Sequence, residues 1–102
     1  MTDRELLELA AKAAQIMVNP WHEKYGLLLS DFDFEPWNPL TDDGDALRLA
    51  VKLGVDIYVD EGKSEVWVTE SNHPIEHFDN DPQAATRRAI VRAAAEIGKE
   101  MK

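Results

Sequence analysis

The chain has 102 residues, no Cys, and 20 acidic against 11 basic side chains, a formal net charge of -9. A chain of this length buries roughly 60 to 70 % of its unfolded surface, enough for a core that needs neither a disulfide nor a structural metal. The missing Cys excludes a disulfide scaffold, a thiol nucleophile and a Cys-ligated zinc site, and the apolar runs fall short of the ~20 residues of a membrane span.

The acidic start lacks the basic-then-apolar order of a secretory leader, so the expectation is one domain over 1–102, cytoplasmic, with no membrane partner. Thr2 and Glu5 stand at capping-box spacing, and Leu6, Leu9, Ala10, Ala13 and Met17 share a helical arc, which predicts a first helix over about 3–18 ended by Asn19 and Pro20. From Trp21 to Leu40 the chain mixes aromatics with Gly26, Pro36 and Pro39. A strand over Leu27 to Phe34 within an ordered aromatic loop is the expectation there. Thr41, Asp42 and Asp43 supply N-cap candidates for a second helix that runs to Leu53 and stops at Gly54. Its apolar arc is wide, with Leu47 and Val51 beside Ala46, Leu49, Ala50 and Leu53, which predicts more than one packing neighbour.

Val55 to Asp60 and Ser64 to Thr69 read as a hairpin. Parity selects the register: Val59 pairs with Val66 and Ile57 with Val68 on one face, and Tyr58 with Trp67 on the other, because a one-residue slip sets Val59 against Glu65. Asp60 then faces Glu65, which is tolerable only where exposed. A short strand over Ile75 to Phe78 follows. Asp81 and Pro82 open a third helix through about Met101, expected to bury Ile90, Ala93, Ala94, Ile97 and Met101, with alanines that permit close backbone approach. The fold expected is α/β of the α+β type, a small sandwich of three helices packed around an antiparallel, hairpin-based sheet.

Catalytic and metal motifs fail on inspection. The stretch DFDFEPWNPLTD imitates a calcium loop, but Pro36 occupies the place of the turn glycine, and Asp42 that of the bidentate Glu. His73 and His77 are four apart, yet Pro74 takes them off a common helix face. Ser30, Ser64 and Ser71 sit in no nucleophile elbow, and the five glycines form no phosphate loop. The reading is therefore no enzyme, no cofactor and no metal.

Charge is distributed unevenly: Asp31 to Asp45 holds six acids and no base, whereas Pro82 to Lys102 holds five bases and two acids. Two uses follow. Arg48, Arg87 or Arg88 can meet the phosphate of a small anionic ligand while Trp37, Tyr58 or Trp67 stacks on its base. Alternatively, Asp31, Asp33, Glu35, Asp42, Asp43 and Asp45 form an acidic surface for a protein partner. Duplex nucleic acid is disfavoured by the net charge. Arg92 is expected to pair with Glu96 at i, i+4, and Tyr58 and Trp67, if no helix covers them, form a patch that calls for a partner.

The run WNPLTDDGDALRLAVKLGVDIYV, the hairpin, and then NDPQAATRRAIVRAAAEIG together resemble the phage ABA sandwich domain, a family of small tailed-phage and prophage proteins. The likeness covers about residues 37–98. It implies helices around a mainly antiparallel sheet and a bacterial host cell as setting, and it carries no activity or catalytic residues. The resulting expectation is a phage accessory protein that binds rather than turns over, antagonising a host or defence process by blocking a host protein. The alternatives are sequestration of a nucleotide-like anion and, third, a metal-dependent enzyme. A homodimer is left open by the apolar arc of the second helix.

Overall fold

Thr2 starts the first helix by a reciprocal bond pair: Glu5 N–H donates to Thr2 Oγ1 at 3.1 Å, and Thr2 N–H reaches back to Glu5 Oε1 at 3.2 Å. The backbone donor and the Thr2 hydroxyl, in that order, hold the Glu5 carboxyl below its ordinary range. In a computed structural model of the chain, which describes residues 1–30, 35–68 and 76–101, this helix is α1 (Asp3–Ala13). It ends well before Pro20, where the sequence placed its stop. Gln15 takes a left-handed φ of 56°, its N–H bonds Lys12 O, and Ile16 N–H bonds Ala11 O, a Schellman closure made without glycine. The turn folds Ile16 back against the core.

Residues 17–30 and 35–40 run as an irregular ribbon. Bridges join Val18 to Leu29, His22 to Gly26 and Leu28 to Pro36, and Trp37 N–H donates to Leu27 O. Leu27 and Trp37 are its buried anchors. The strand expected over Leu27 to Phe34 is not formed in its described part, which makes only isolated bridges, and residues 31–34 lie outside the described residues.

Asp42 caps α2 (Asp43–Leu53) by accepting from Asp45 N–H at 2.8 Å, and Gly54, at φ 68°, closes its C-terminus. The hairpin follows as β1 (Ile57–Asp60) and β2 (Glu65–Val68), with all four pairings in the register that parity selects. In its turn the left-handed residue is Ser64, at φ 53°. β3 (Glu76–His77) pairs antiparallel with β2, giving the sheet order β1-β2-β3. Asp81 accepts from Ala84 N–H at 2.9 Å and Pro82 opens α3 (Pro82–Glu100).

The helix α3 is the centre of the structure, touching α1, α2, β2 and β3. Its Ala85, Ala89, Ile90, Ala93 and Ala94 are buried, as are Val66 and Val68 on the inner face of the sheet. Ile97 and Met101, expected inside, are only half-buried, because the α1 backbone comes against Gly98 instead. A Cβ at Gly98 would lie 2.1 Å from Leu9 O, so α1 and α3 meet almost backbone to backbone. One hydrophobic cluster includes residues of all three helices and β2. The result is the three-helix, antiparallel-sheet α+β fold expected from the pattern. No described helix is long and apolar enough to cross a membrane.

Candidate functional site

The three candidate arginines stand in three different places, each already holding carboxylates. Arg48 Nη2 donates to Asp45 Oδ1 at 2.8 Å and lies 3.8 Å from Asp42. Arg87 spans from α3 to the lead of α2: its Nε donates to Leu40 O at 2.8 Å and its Nη1 to Asp43 at 2.6 Å. Arg88 ties α3 to the first turn of α1 through Asp3, at 3.1 Å. Arg92 is bound by Glu76 on β3, and Glu96, its expected partner, has Lys99 at 3.7 Å. The tertiary partner wins at Arg92 because the half-buried Glu76 lies directly across the α3–β3 contact.

Arg88, Arg92 and Lys99 do converge, lining a depression of about 280 Å³ with Met1, Leu6 and Glu96. Among the described residues no aromatic ring lines it. Arg88 also borders a shallower depression with Phe78, but Glu76, Asp79 and Asp81 line that one and oppose an anion. Trp37 is 4 % exposed, so its ring faces are taken by protein atoms and are closed to a stacked base. Tyr58 and Trp67 are exposed, but they lie on the sheet rather than beside Arg48, Arg87 or Arg88 in any of these depressions.

The acidic stretch is used largely within the fold. Asp42 caps α2, Asp43 holds Arg87, and Asp45 both accepts from Asn38 N–H at 3.0 Å and holds Arg48. Glu35 is exposed, and Asp31 and Asp33 lie outside the described residues. His77 is extended in β3, with Nδ1 3.9 Å from Glu65, and His73 lies outside the described residues. Among the described residues no group of three His or acidic side chains could hold a metal.

The distinctive surface is apolar. Tyr58 and Trp67 stack at 5.4 Å between centroids and 16° between planes, 45 % and 37 % exposed, on the sheet face away from Val66 and Val68. Aromatic stacking of this geometry is worth roughly 1 kcal/mol, but rings left this open carry apolar area that a monomer usually covers. Around the edge of β1 the exposure continues: Val59 is 52 % exposed, and on α2 Leu47 and Val51 are 62 % and 72 % exposed. Leu47 and Ile57 line one groove of about 390 Å³ between α2, β1 and the start of α3, with Ala46 and Ile90 at its base and Glu61 and Arg87 at its rim. The wide arc of α2 was the sequence signal for this surface. Among the described elements, only α3 packs substantially against α2, so the second neighbour that the arc calls for is not supplied there.

No family model matches the chain, and no curated protein or solved structure matches it.

Proposed function

We propose that this protein acts by binding another protein through the hairpin face and the adjoining α2–β1 groove. The observation that carries the reading is the exposed Tyr58–Trp67 stack on the outer face of the hairpin; Val59 on the opposite face of β1, and Leu47 and Val51 on α2, are further exposed apolar side chains. Aromatic residues are enriched at the centres of interaction hot spots. The resemblance of residues 37–98 to the phage ABA sandwich pattern supplies the setting: a phage or prophage accessory protein whose partner is a bacterial host protein, blocked as part of a defence or other host process.

The second reading, sequestration of a small anionic ligand, rests on the convergence of Arg88, Arg92 and Lys99. An anion there competes with Asp3, Glu76 and Glu96 for cations they already hold, and no ring among the described residues lines the depression for it to stack on. That favours the protein partner.

The test compares three tagged forms expressed in a bacterial host: the unmodified chain, Tyr58→Ser with Trp67→Ser, and Arg88→Glu, each checked for folding by circular dichroism. Stoichiometric retention of one protein, lost with the aromatic variant and kept with Arg88→Glu, is the expected result. A nucleotide seen by mass spectrometry in the denatured eluate, and lost only with Arg88→Glu, overturns the reading in favour of sequestration.

A further inference from the structure

Strand β1 is an edge strand, with β2 on one side and no described strand on the other. Its free side can be assigned residue by residue. Phe78 N–H donates to the Ser64 carbonyl, the bond that flanks the Glu65–His77 pair, so Val66 points its backbone groups toward β3 and, because the bonding direction alternates in an antiparallel ladder, Glu65 and Trp67 point theirs toward β1. Their partners Asp60 and Tyr58 are thereby consumed. Ile57 and Val59 point their N–H and C=O groups outward, to the open side.

The side chains along that edge have a pattern of their own. Ile57 and Val59 lie on the inner side, with Ile57 on the wall of the α2–β1 groove. Asp56, Tyr58 and Asp60 fall on the outer side, where Glu65 and Trp67 continue the same face across β2. Between Asp56 and Glu65 there are four acids and a single cation, Lys63 in the turn. The edge therefore presents acid, aliphatic, aromatic, aliphatic, acid in consecutive residues.

We infer that the free edge of β1 takes an extended peptide segment of its partner as a fourth, antiparallel strand, with the complementary order basic, aliphatic, aromatic, aliphatic, basic. This inference rests on the protein-binding reading above. Ladder bonds to Ile57 and Val59 supply the pairing, the α2–β1 groove receives the aliphatic side chains, and Asp56 and Asp60 select the cations. Charge argues against a second copy of this chain as the occupant. In the two-fold register of greatest overlap, Tyr58 meets its own equivalent and Asp56 meets Asp60 of the copy, twice, in a molecule of net charge -9.

The probe is a fluorescein-labelled peptide containing Lys-Val-Tyr-Val-Lys, followed by fluorescence anisotropy, with backbone amide exchange of the unmodified protein read by NMR. Binding is expected to slow exchange at Ile57 and Val59. Methylating the two valine amide nitrogens of the peptide should weaken binding by about tenfold or more, the ratio expected when two ladder bonds are lost. Replacing both lysines by glutamate should abolish it. Val59→Pro, which removes only an outward-facing N–H, should reproduce the loss while the melting temperature shows that the fold is kept. Equal affinity for the methylated peptide overturns strand addition, as does a concentration-dependent dimer dissolved by Val59→Pro, which makes a second copy the occupant. No binding of the peptide, while partner capture still depends on Tyr58 and Trp67, overturns the strand model and leaves the protein-binding reading standing. Capture that does not depend on those rings overturns the reading itself.

Discussion

Gly98→Ala tests the packing argument most sharply, because two effects of known sign oppose each other there. In an isolated helix the change stabilises by roughly 1 kcal/mol, since Ala loses less conformational freedom than Gly. In this fold the added Cβ lies 2.1 Å from Leu9 O and 2.9 Å from Leu9 C. Those are backbone atoms of α1, which no rotamer change can move, so the helices must separate by roughly 1 Å, enough to forfeit a quarter to a half of the dispersion energy of facing atoms. Overpacking of this kind costs about 1 to 3 kcal/mol, and an obstacle made of backbone places Gly98 at the upper end. The net expectation is a loss of about 2 kcal/mol, or about 10 °C in melting temperature for a chain of this size. Thermal and urea unfolding followed by circular dichroism measure it. Gly44→Ala is the control: its Cβ meets no backbone atom, only the Arg48 guanidinium at 3.1 Å, which can swing aside, and the Asp42 cap oxygen at 3.2 Å, which has to give by a few tenths of an ångström. The gain from Ala and the strain on the cap oppose each other, so that variant should change stability by under about 1 kcal/mol. A Gly98→Ala protein as stable as the unmodified chain, or more so, refutes the close approach of α1 and α3.

Three further outcomes follow from local geometry. Gln15→Gly should raise stability by up to about 1 kcal/mol in urea unfolding, because it relieves the left-handed φ of 56° that closes α1. Arg87→Met should cost about 2 kcal/mol, since it strands the half-buried Leu40 carbonyl, whereas Asp43→Asn, at the exposed end of the same contact, should cost under about 1 kcal/mol. The Glu5 carboxyl has its pKa lowered by folding, so its contribution is present above the ordinary value of 4.5 and is lost as pH falls through the lower folded value. The stability difference between the unmodified chain and Glu5→Gln should accordingly shrink on acidification through that window, and a difference that stays constant or grows contradicts the cap.

The candidate site was legible only in part. The open Tyr58–Trp67 face followed from hairpin parity, because in a period-2 strand a choice that buries Val66 and Val68 sends the rings to the other side. The arginines were misleading for a physical reason. A charged side chain on a helix reads the same whether it awaits a ligand or bonds a residue far away in sequence, as Arg87 does with Leu40 and Arg88 with Asp3. Trp37 was similarly ambiguous, since an aromatic in an irregular segment can anchor a core or offer a ring.

Local chemistry alone settled where the helices begin, where α2 stops and how the hairpin pairs: Thr2, Asp42 and Asp81 cap through side-chain oxygens three residues from their donors, Gly54 takes a left-handed turn, and β-branched alternation admits one register. These signals act over a few residues, so they are readable in one dimension. Tertiary packing alone decided that α1 closes at Gln15, that Gly98 meets Leu9, that Arg92 goes to Glu76, and that Leu47, Val51 and Val59 stay exposed. Each depends on which surfaces meet once the elements have docked. Distance along the chain carries no information about that.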